Sequence, residues 1–363
     1  MDDLRADKEL WTNEPAGFPT GWPVWGHDAA VEDLSVAIGA GHVAHAYLIT
    51  GPESIGKRAL ATAFAQALCC EDSMRRGEGQ RCGACLSCRK ISRGTHPDVQ
   101  QFGLAQQSAL SDKTGGQTGL TIDTVRRVCG ATALRPMEGQ WRVLVIDNAE
   151  TMQGVAQEAL LKTLEEPPAS VVILLLAEEA ETLLPTVRSR CQIVDLHHVP
   201  RQVVARALEA RGIERSRADE IASLAGGRPG WALRAVGDAA VVDERRRAVD
   251  WALEWMEGSP YARLVTAVRL GDTFPKRRVK VFDDLDILLG LWRDALLLRV
   301  AVPGSLTFQG YAERLQGVAE GWELPALRGA IQAVQTCVAD LDANVRPRLA
   351  IEAMVLQWPT PSK

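Results

Sequence analysis

The stretch AYLITGPESIGKR, residues 46–58, decides the fold class of this chain. Its first five residues predict a short buried strand, and the next seven fill the frame G-x-x-x-x-G-K of a phosphate-binding loop. An apolar helix, Ala59 to Leu68, is predicted directly after the loop. In such a strand–loop–helix, backbone N–H groups and the helix N-terminus cradle phosphate, while the lysine adds a point charge. The stretch therefore predicts a cofactor-binding cradle built on Gly51, Gly56 and Lys57.

The residue after the lysine departs from the phosphate-loop pattern. A Ser or Thr hydroxyl normally holds Mg²⁺ there, but this chain has Arg58. Such sites also use an acid at the end of a neighbouring buried strand to organise the metal. The apolar run 142–146 predicts that strand and Asp147 is the acid, with a helix N-cap as its alternative role. Asn148 stands where a water-polarising Glu is ideal, and we expect Glu150 to face elsewhere.

Length and composition indicate a globular protein of more than one domain. A chain of 363 residues is long enough for two or three domains, each with its own core. The net charge of -5 argues against a surface that coats DNA. No apolar run approaches the roughly 20 residues that span a bilayer, so we expect no membrane partner. Residues 1–20 lack the features of a secretion signal and predict a loose arm in a cytoplasmic protein.

The eight cysteines are clustered along the chain, which makes a disulfide framework improbable. The pattern C-x-x-C-x-x-C at 82–88 predicts a metal site, because thiolates at that spacing can converge on one ion. A closed zinc site needs a fourth ligand, for which Cys70 is preferred and Cys69 is the alternative; His96 is a further candidate. Unligated cysteines and an iron–sulfur cluster remain the other interpretations. The predicted structural Zn²⁺ ligands are Cys70, Cys82, Cys85 and Cys88.

Buried strands alternate with helices over the first 200 residues. Beyond the two strands named above, strands are predicted at 171–176 and 193–196, with helices between them. This alternation predicts a doubly wound parallel sheet, an α/β fold. Residues 103–119, rich in Gln, Ser, Gly and Thr, predict a loop. After Pro200 no strand-like run remains, and the pattern predicts short helices to 235 and longer helices beyond 241.

Taken together, these segments resemble the delta-prime subunits of bacterial DNA polymerase III clamp loaders, which belong to the AAA+ superfamily. They occur in the family's order, and the C-terminal third is similar only in being helical. The segments that carry the resemblance are WGHDAAV at 25–31, HAYLITGPESIGK at 45–57, CGACLSCRK at 82–90, IDNAE at 146–150, ALLKTLEEPP at 159–168 and LLPTVRSRC at 183–191.

The resemblance implies a domain order and a set of partners. It implies a P-loop AAA+ domain at 21–200 with a zinc knuckle at 69–90, then a helical lid at 201–240 and a helical collar for oligomerisation at 241–363. It further implies a subunit of the DNA polymerase holoenzyme complex that has no independent catalysis. The implied partners are the gamma/tau motor subunits, the delta subunit, the sliding clamp and primed DNA.

The chain is also similar to the gamma/tau motors, so an active clamp-loader ATPase is the alternative function. Four departures separate it from a motor: Arg58, Asn148, the acids of Ala177-Glu178-Glu179 at the first sensor, and Gly230 at the second sensor, where Arg228 is out of register. Together they imply a subunit that does not hydrolyse ATP, because metal, base and sensors are what phosphoryl transfer needs. Whether Gly51, Gly56, Lys57 and Asp147 still bind nucleotide stays open.

Ser189-Arg190-Cys191 matches the family's arginine-finger motif. The resemblance implies that Arg190 acts in trans, in the ATP site of a neighbouring motor subunit, while Arg188 is structural. The alternative for Arg190 is a surface salt bridge at a helix end. The basic cluster between Lys276 and Lys280 predicts a solvated helix face more readily than a DNA contact. A zinc-dependent nucleic-acid-binding module is the second alternative function.

Overall fold

The computed structural model describes residues 21–109, 119–301, 306–343 and 345–359, so the predicted N-terminal arm lies outside the described residues. The described chain divides into two compact units. The first contains the residues up to Val199 together with Arg206–Ile213 and Arg228–Leu233. The second contains Pro200–Ala205, Glu214–Gly227 and the residues from Arg234 onward. The boundaries proposed for a lid and a collar remain predictions.

The first unit is built on a five-stranded sheet in which each pair of neighbouring strands is parallel. The spatial order is β2-β3-β4-β1-β5. This order brings β1, which leads into the phosphate loop, between β4 and β5. The predicted parallel α/β sheet is thereby confirmed. The strands are β1 (Ala46–Thr50), β2 (Val99–Phe102), β3 (Arg142–Ile146), β4 (Val171–Ala177) and β5 (Gln192–Asp195).

Helices cover both faces of the sheet. The helices of the first unit begin with α1 (Asp28–Gly39), α2 (Lys57–Cys69), α3 (Ser73–Gly77), α4 (Leu86–Ser92), α5 (Leu104–Ala109), α6 (Ile122–Thr132), α7 (Gly154–Glu165) and α8 (Pro185–Arg188). Alternate residues of each strand point to opposite faces. Tyr47 and Ile49 join a core with α1 and α2, whereas Leu48 joins a second core with α6 and α7. Burial on both faces explains why the central strands are uninterrupted apolar runs.

Several elements of this unit were not predicted, among them the short helices α3 and α4 next to the cysteines, the strand β2 and the helix α5. The edge strand β2 contains Gln100 and Gln101, which hide its strand character. Helix α5 lies within the segment 103–119 that predicted a loop, so that prediction is wrong for its first part; residues 110–118 lie outside the described residues. The buried Gln107 side chain accepts a hydrogen bond from the Thr121 backbone N–H at 2.9 Å, which ties α5 to the start of α6.

The remaining elements are helical, and among the described residues no strand follows Asp195. Inside the second unit, the guanidinium of Arg263 is buried between the rings of Trp322 and Trp358, and it donates a 2.6 Å hydrogen bond to the Pro359 carbonyl. Among the described residues, no helix is both long enough and apolar enough to span a membrane. The helices are α9 (Arg201–Glu209), α10 (Arg215–Leu224), α11 (Pro229–Gly237), α12 (Ala239–Glu257), α13 (Pro260–Thr273), α14 (Arg278–Arg299), α15 (Ala312–Glu320), α16 (Leu324–Asp342) and α17 (Pro347–Leu356).

Candidate functional site

The loop between β1 and α2 has the backbone course of a phosphate cradle. Gly51 and Gly56 have φ of 139° and 121°, which favour glycine. A Cβ on Gly51 would lie 2.4 Å from the Leu196 carbonyl oxygen, so the close approach also requires glycine. Ser54 adopts φ 60°, a conformation that is uncommon outside glycine. The Lys57 ammonium folds back on the loop and donates to the carbonyls of Gly51 and Pro52, the latter at 3.0 Å.

Arg58 pairs with Asp147 across the predicted metal position. Its Nε donates to Asp147 Oδ2 at 3.1 Å, and its Nη2 donates to the same oxygen. The other carboxylate oxygen accepts the Asn148 backbone N–H at 3.1 Å. Asp147 therefore holds a guanidinium and does not act as the cap of the following turn, Ala149–Thr151, whose first flanking residue is Asn148. Both carboxylate oxygens of Asp147 therefore already accept hydrogen bonds from this chain, and a metal ion would have to compete with the Arg58 cation for them.

Acidic side chains surround Lys57. Glu178, Glu150, Asp147 and Glu53 all interact electrostatically with its ammonium, while burial lowers the pKa of Lys57. The pKa of Glu150 is raised to about 7, mainly by burial and also by the neighbouring Glu178 and Asp147, while a backbone hydrogen bond and Lys57 act in the lowering direction. The expectation that Glu150 faces elsewhere is therefore wrong. Asn148 has a left-handed backbone conformation, and a short 3₁₀ turn follows it. Glu150 lies in this turn, near Lys57 of the phosphate loop.

The two sensor positions also border the loop. Glu178 directly follows β4, and its carbonyl accepts the Gly51 N–H at 3.0 Å, which fixes the first sensor segment against the cradle. At the second sensor position, the Gly230 N–H donates to the Ser54 carbonyl at 2.8 Å. A Cβ on Gly230 would lie 2.8 Å from that carbonyl oxygen, closer than real Cβ contacts. A close backbone contact with the loop therefore lies at the position that the resemblance implies for the second sensor.

His27 is a further neighbour of the loop that the sequence did not single out. Its buried Nε2 lies 3.1 Å from the Ile55 carbonyl oxygen. Burial is the main cause that lowers the pKa of His27 below its ordinary value. The histidine therefore links the segment before α1 to the loop as a neutral hydrogen-bonding group. Its place in the segment at 25–31 was the available sequence signal.

The structure brings Cys70, Cys82, Cys85 and Cys88 together, with their four sulfur atoms all within 4.8 Å of one another. Backbone N–H groups point at the sulfurs: those of Cys82, Cys85 and Cys88 donate to the preceding cysteine of the set at 3.2–3.4 Å. These donors favour thiolates, which are the form that ligates metal. The cluster therefore has the donor set of a closed tetrahedral site.

The two other candidate ligands lie outside the cluster. The sulfur of Cys69 lies 3.9 Å from the Trp141 carbonyl oxygen, away from the other thiols. His96 Nε2 lies 3.4 Å from Ser87 Oγ and 3.8 Å from Glu138 Oε2. The geometry thus favours Cys70 as the fourth ligand.

Arg190 lies at the surface beyond α8. Its Nη2 donates to Glu165 Oε1 at 2.7 Å, and its Nη1 donates to the Thr186 carbonyl at 2.8 Å. Ser189 Oγ donates to the same carbonyl at 3.2 Å, and the half-buried Cys191 thiol packs against the second core. Arg188 pairs instead with Glu181 at 3.3 Å. Glu165 is a partner that the sequence did not reveal, because it lies 25 residues away on another helix.

The basic cluster at 276–280 is partly engaged within its own unit. The Arg278 guanidinium lies over the rings of Phe274 and Phe282 at 5.4 and 5.2 Å. Lys280 pairs with Asp284 at 3.0 Å. These contacts engage two of its cations within α14 and with Phe274 just before it, in line with a solvated helix face.

Comparison with known proteins gives consistent matches. Residues 26–200 match the family described as "DNA polymerase III, delta subunit". The chain is 36% identical over 211 residues to DNA polymerase III subunit delta' of Pseudomonas aeruginosa, a match that covers 57% of this chain and 60% of that protein. It is 25% identical over 335 residues to subunit delta' of Bacillus subtilis, with 86% and 90% covered. It is also 30% identical over 208 residues to subunit gamma/tau of Mycobacterium tuberculosis, with 55% and 32% covered. The match therefore spans less than two thirds of the Pseudomonas relative and about a third of the gamma/tau relative.

Proposed function

Because residues 26–200 match the family described as "DNA polymerase III, delta subunit" and the chain is 36% identical over 211 residues to a delta' subunit, we propose that it is a non-hydrolysing, delta-prime-like subunit of a replicative clamp loader. In this role it forms part of a cytoplasmic ring with gamma/tau motor subunits and a delta subunit. The ring opens the sliding clamp and loads it onto primed DNA. The chain serves as a scaffold and donates Arg190 to a neighbouring motor's ATP site.

The pairing of Arg58 with Asp147 carries this proposal. Phosphoryl transfer in P-loop proteins uses a metal ion held by the loop hydroxyl and by the acid after the neighbouring strand. In this chain the hydroxyl is replaced, and its replacement neutralises the acid. A Mg²⁺ ion beside Arg58 would place two positive charges in one site, where they repel each other.

The charges around Lys57 support the same conclusion. A nucleotide triphosphate brings several negative charges, and in this site it would meet Asp147, Glu150 and Glu178. Like charges repel, and the repulsion grows in a partly buried, low-dielectric site. The Lys57 ammonium already donates hydrogen bonds to two loop carbonyls and interacts electrostatically with those acids. We propose that the cradle of Gly51, Gly56 and Lys57 is a structural remnant that does not turn over ATP.

We propose that the four-cysteine cluster holds one structural Zn²⁺. Its ligands would be Cys70, Cys82, Cys85 and Cys88, with no open position for a water or substrate. A bound ion of this kind ties the segment between α2 and α4 into a fixed knuckle, since metal binding contributes folding free energy.

Arg190 is the residue that we propose to act in trans, with Ser189 and Cys191 setting its local backbone. A guanidinium at the surface can reach a phosphate on a neighbouring subunit, and trans arginines of this type are worth about 10³–10⁵ in rate. The exposure of Arg190 and of its ion-pair partner Glu165 supports this role, because a neighbouring subunit can reach a guanidinium that lies at the surface.

The active-ATPase alternative is favoured by one observation, the 30% identity to gamma/tau subunits. The deciding experiment is an assay of the isolated chain for Mg²⁺-dependent ATP turnover, with its Lys57→Ala variant as the control. We expect no turnover above that of the variant. Turnover that disappears in Lys57→Ala would establish the motor function instead.

A further inference from the structure

The helix that ends beside Arg190 carries acids where helices disfavour them. Helix α7 ends with Glu165, and Glu166 follows it. The C-terminus of a helix bears a partial negative charge, so carboxylates there are unfavourable. The Glu166 backbone N–H donates to the Lys162 carbonyl at 3.1 Å, but neither carboxylate can cap the helix, because caps at this end need hydrogen-bond donors. Their presence needs an explanation other than the stability of α7.

The two acids differ in what they contact. Glu165 accepts the Arg190 guanidinium at 2.7 Å. The Glu166 side chain is exposed and has no hydrogen bond or ion pair with the part of the chain that the structure describes. Only the first acid therefore acts on the candidate finger, and the second provides a matched control on the same helix end.

Glu165 and the Thr186 carbonyl together fix the plane of the guanidinium. The carboxylate takes one Nη2 hydrogen and the carbonyl takes Nη1, at 2.7 and 2.8 Å. Among the described residues, Nε of Arg190 has no partner, and Nη2 keeps its second hydrogen. A guanidinium held by two of its corners still presents donors to an incoming phosphoryl oxygen, in the forked geometry that suits phosphate.

We infer that Glu165 is a positioning residue for Arg190, which holds the guanidinium in one orientation at the subunit surface before a neighbour's phosphate arrives. This inference rests on the proposed function of Arg190. A free arginine side chain loses conformational entropy when it is fixed, at a cost equivalent to about a tenfold change in an equilibrium. The ion pair with Glu165 offsets part of that cost in the folded chain, before the neighbouring subunit binds.

The ion pair between Glu165 and Arg190 orients the arginine side chain but does not hold it rigidly. Glu165 and Arg190 are 50% and 34% exposed. Exposed pairs contribute little free energy because water screens them. The guanidinium can therefore shift by a small distance onto a phosphate without a large penalty, while the Thr186 carbonyl keeps contact with Nη1.

The test is the ATPase rate of the complex of this chain with the gamma/tau and delta subunits of its own organism, stimulated by sliding clamp and primed DNA. Four variants are compared after size-exclusion chromatography has shown assembly: Glu165→Ala, Glu165→Gln, Glu166→Ala and Arg190→Ala. We expect Glu165→Ala to lower kcat about two- to fivefold with KM for ATP unchanged, which is the range that the loss of an exposed ion pair allows. Glu165→Gln keeps an acceptor oxygen and should restore most of the rate, and Glu166→Ala should match the wild type.

A double variant separates positioning from a general structural effect. Once Arg190 is alanine, Glu165 has nothing to position, so Glu165→Ala/Arg190→Ala should be as active as Arg190→Ala alone. Wild-type or faster turnover by Glu165→Ala would overturn the inference, as would additive losses in the double variant. If Arg190→Ala itself has no effect, the proposed function fails, and this inference fails with it. A slow Arg190→Ala with a normal Glu165→Ala would overturn the inference alone.

Discussion

Arg58 donates two hydrogen bonds to one carboxylate oxygen of Asp147, and so a protein cation stands where a phosphate-loop enzyme would hold its metal. The arginine comes from the first turn of α2 and the acid from the end of β3. Both positions are set by the parallel sheet, whose strand ends lie at one edge. The substitution thus changes the chemistry of the site while its backbone is kept.

Replacing Arg58 with Thr should recover metal-dependent nucleotide binding without recovering hydrolysis. The hydroxyl supplies the missing metal ligand, and Asp147 loses its guanidinium partner. We expect Mg²⁺-dependent affinity for ATP, measured by calorimetry, to rise at least about tenfold over the wild type. Arg58→Ala is the control, because it frees Asp147 but adds no ligand. Equal affinities of Arg58→Thr and the wild type would contradict the assignment of position 58 as the metal position.

Metal analysis of the purified protein should return close to one zinc ion per chain, because four thiolates complete a structural site. Cys82→Ser should lose most of the metal and lower the melting temperature. Cys69→Ser is the matched control, since its sulfur lies outside the cluster, and it should keep the metal. Protein that contains no metal, or an iron chromophore, would rule out the zinc site.

The contribution of Glu150 to the free energy of unfolding should fall as the pH rises from about 4.5 to about 7. Its folded pKa of about 7 is raised from 4.5, so in this window the folded state holds a proton that the unfolded state has released. Folding stability then decreases with pH. Glu150→Gln stays neutral, and at pH 8 it should be more stable than the wild type by about 1–3 kcal/mol.

Urea unfolding at pH 5, 6, 7 and 8 measures this difference. The exposed Glu53→Gln variant removes a carboxylate from the same loop and serves as the control. A wild-type curve parallel to that of Glu150→Gln across the whole range would show that Glu150 does not titrate as described.

Gly230→Ala should destabilise the first unit by about 1–3 kcal/mol, because the new Cβ would lie 2.8 Å from the Ser54 carbonyl. Gly237→Ala, at the other end of α11, is the matched control. A Cβ there meets nothing within 4 Å, so its stability should be unchanged or higher by up to about 1 kcal/mol. Equal midpoints for the two variants in chemical unfolding would mean that the contact between Gly230 and Ser54 is not tight.

The sequence predicted what local patterns encode. The strand from Ala46, its loop and its helix were predictable because apolar runs, glycines and helix formers all agree over a short stretch. The sulfur cluster was predictable from cysteine spacing. The edge strand at 99–102 was not, because an edge needs less burial and tolerates the polar Gln100 and Gln101.

Contacts between segments that are distant along the chain could not be predicted from the sequence. Glu150 comes near Lys57 in a short 3₁₀ turn that follows Asn148, a residue with a left-handed backbone conformation. The pairing of Glu165 with Arg190 joins two helix ends that only the folded chain brings together. Side-chain partners of this kind follow from tertiary geometry, for which one sequence carries no periodic signal.

The most direct test of the central claim is the ATPase rate of the reconstituted clamp loader, stimulated by clamp and primed DNA, with Arg190→Ala in place of the wild-type chain. Arg188→Ala is the control, because that neighbour pairs with Glu181 of its own chain. The account predicts that Arg190→Ala lowers the rate of ATP hydrolysis at the motor site next to this subunit about 10³-fold while the complex still assembles. Arg188→Ala should keep the wild-type rate. A wild-type rate at that site with Arg190→Ala would contradict the account.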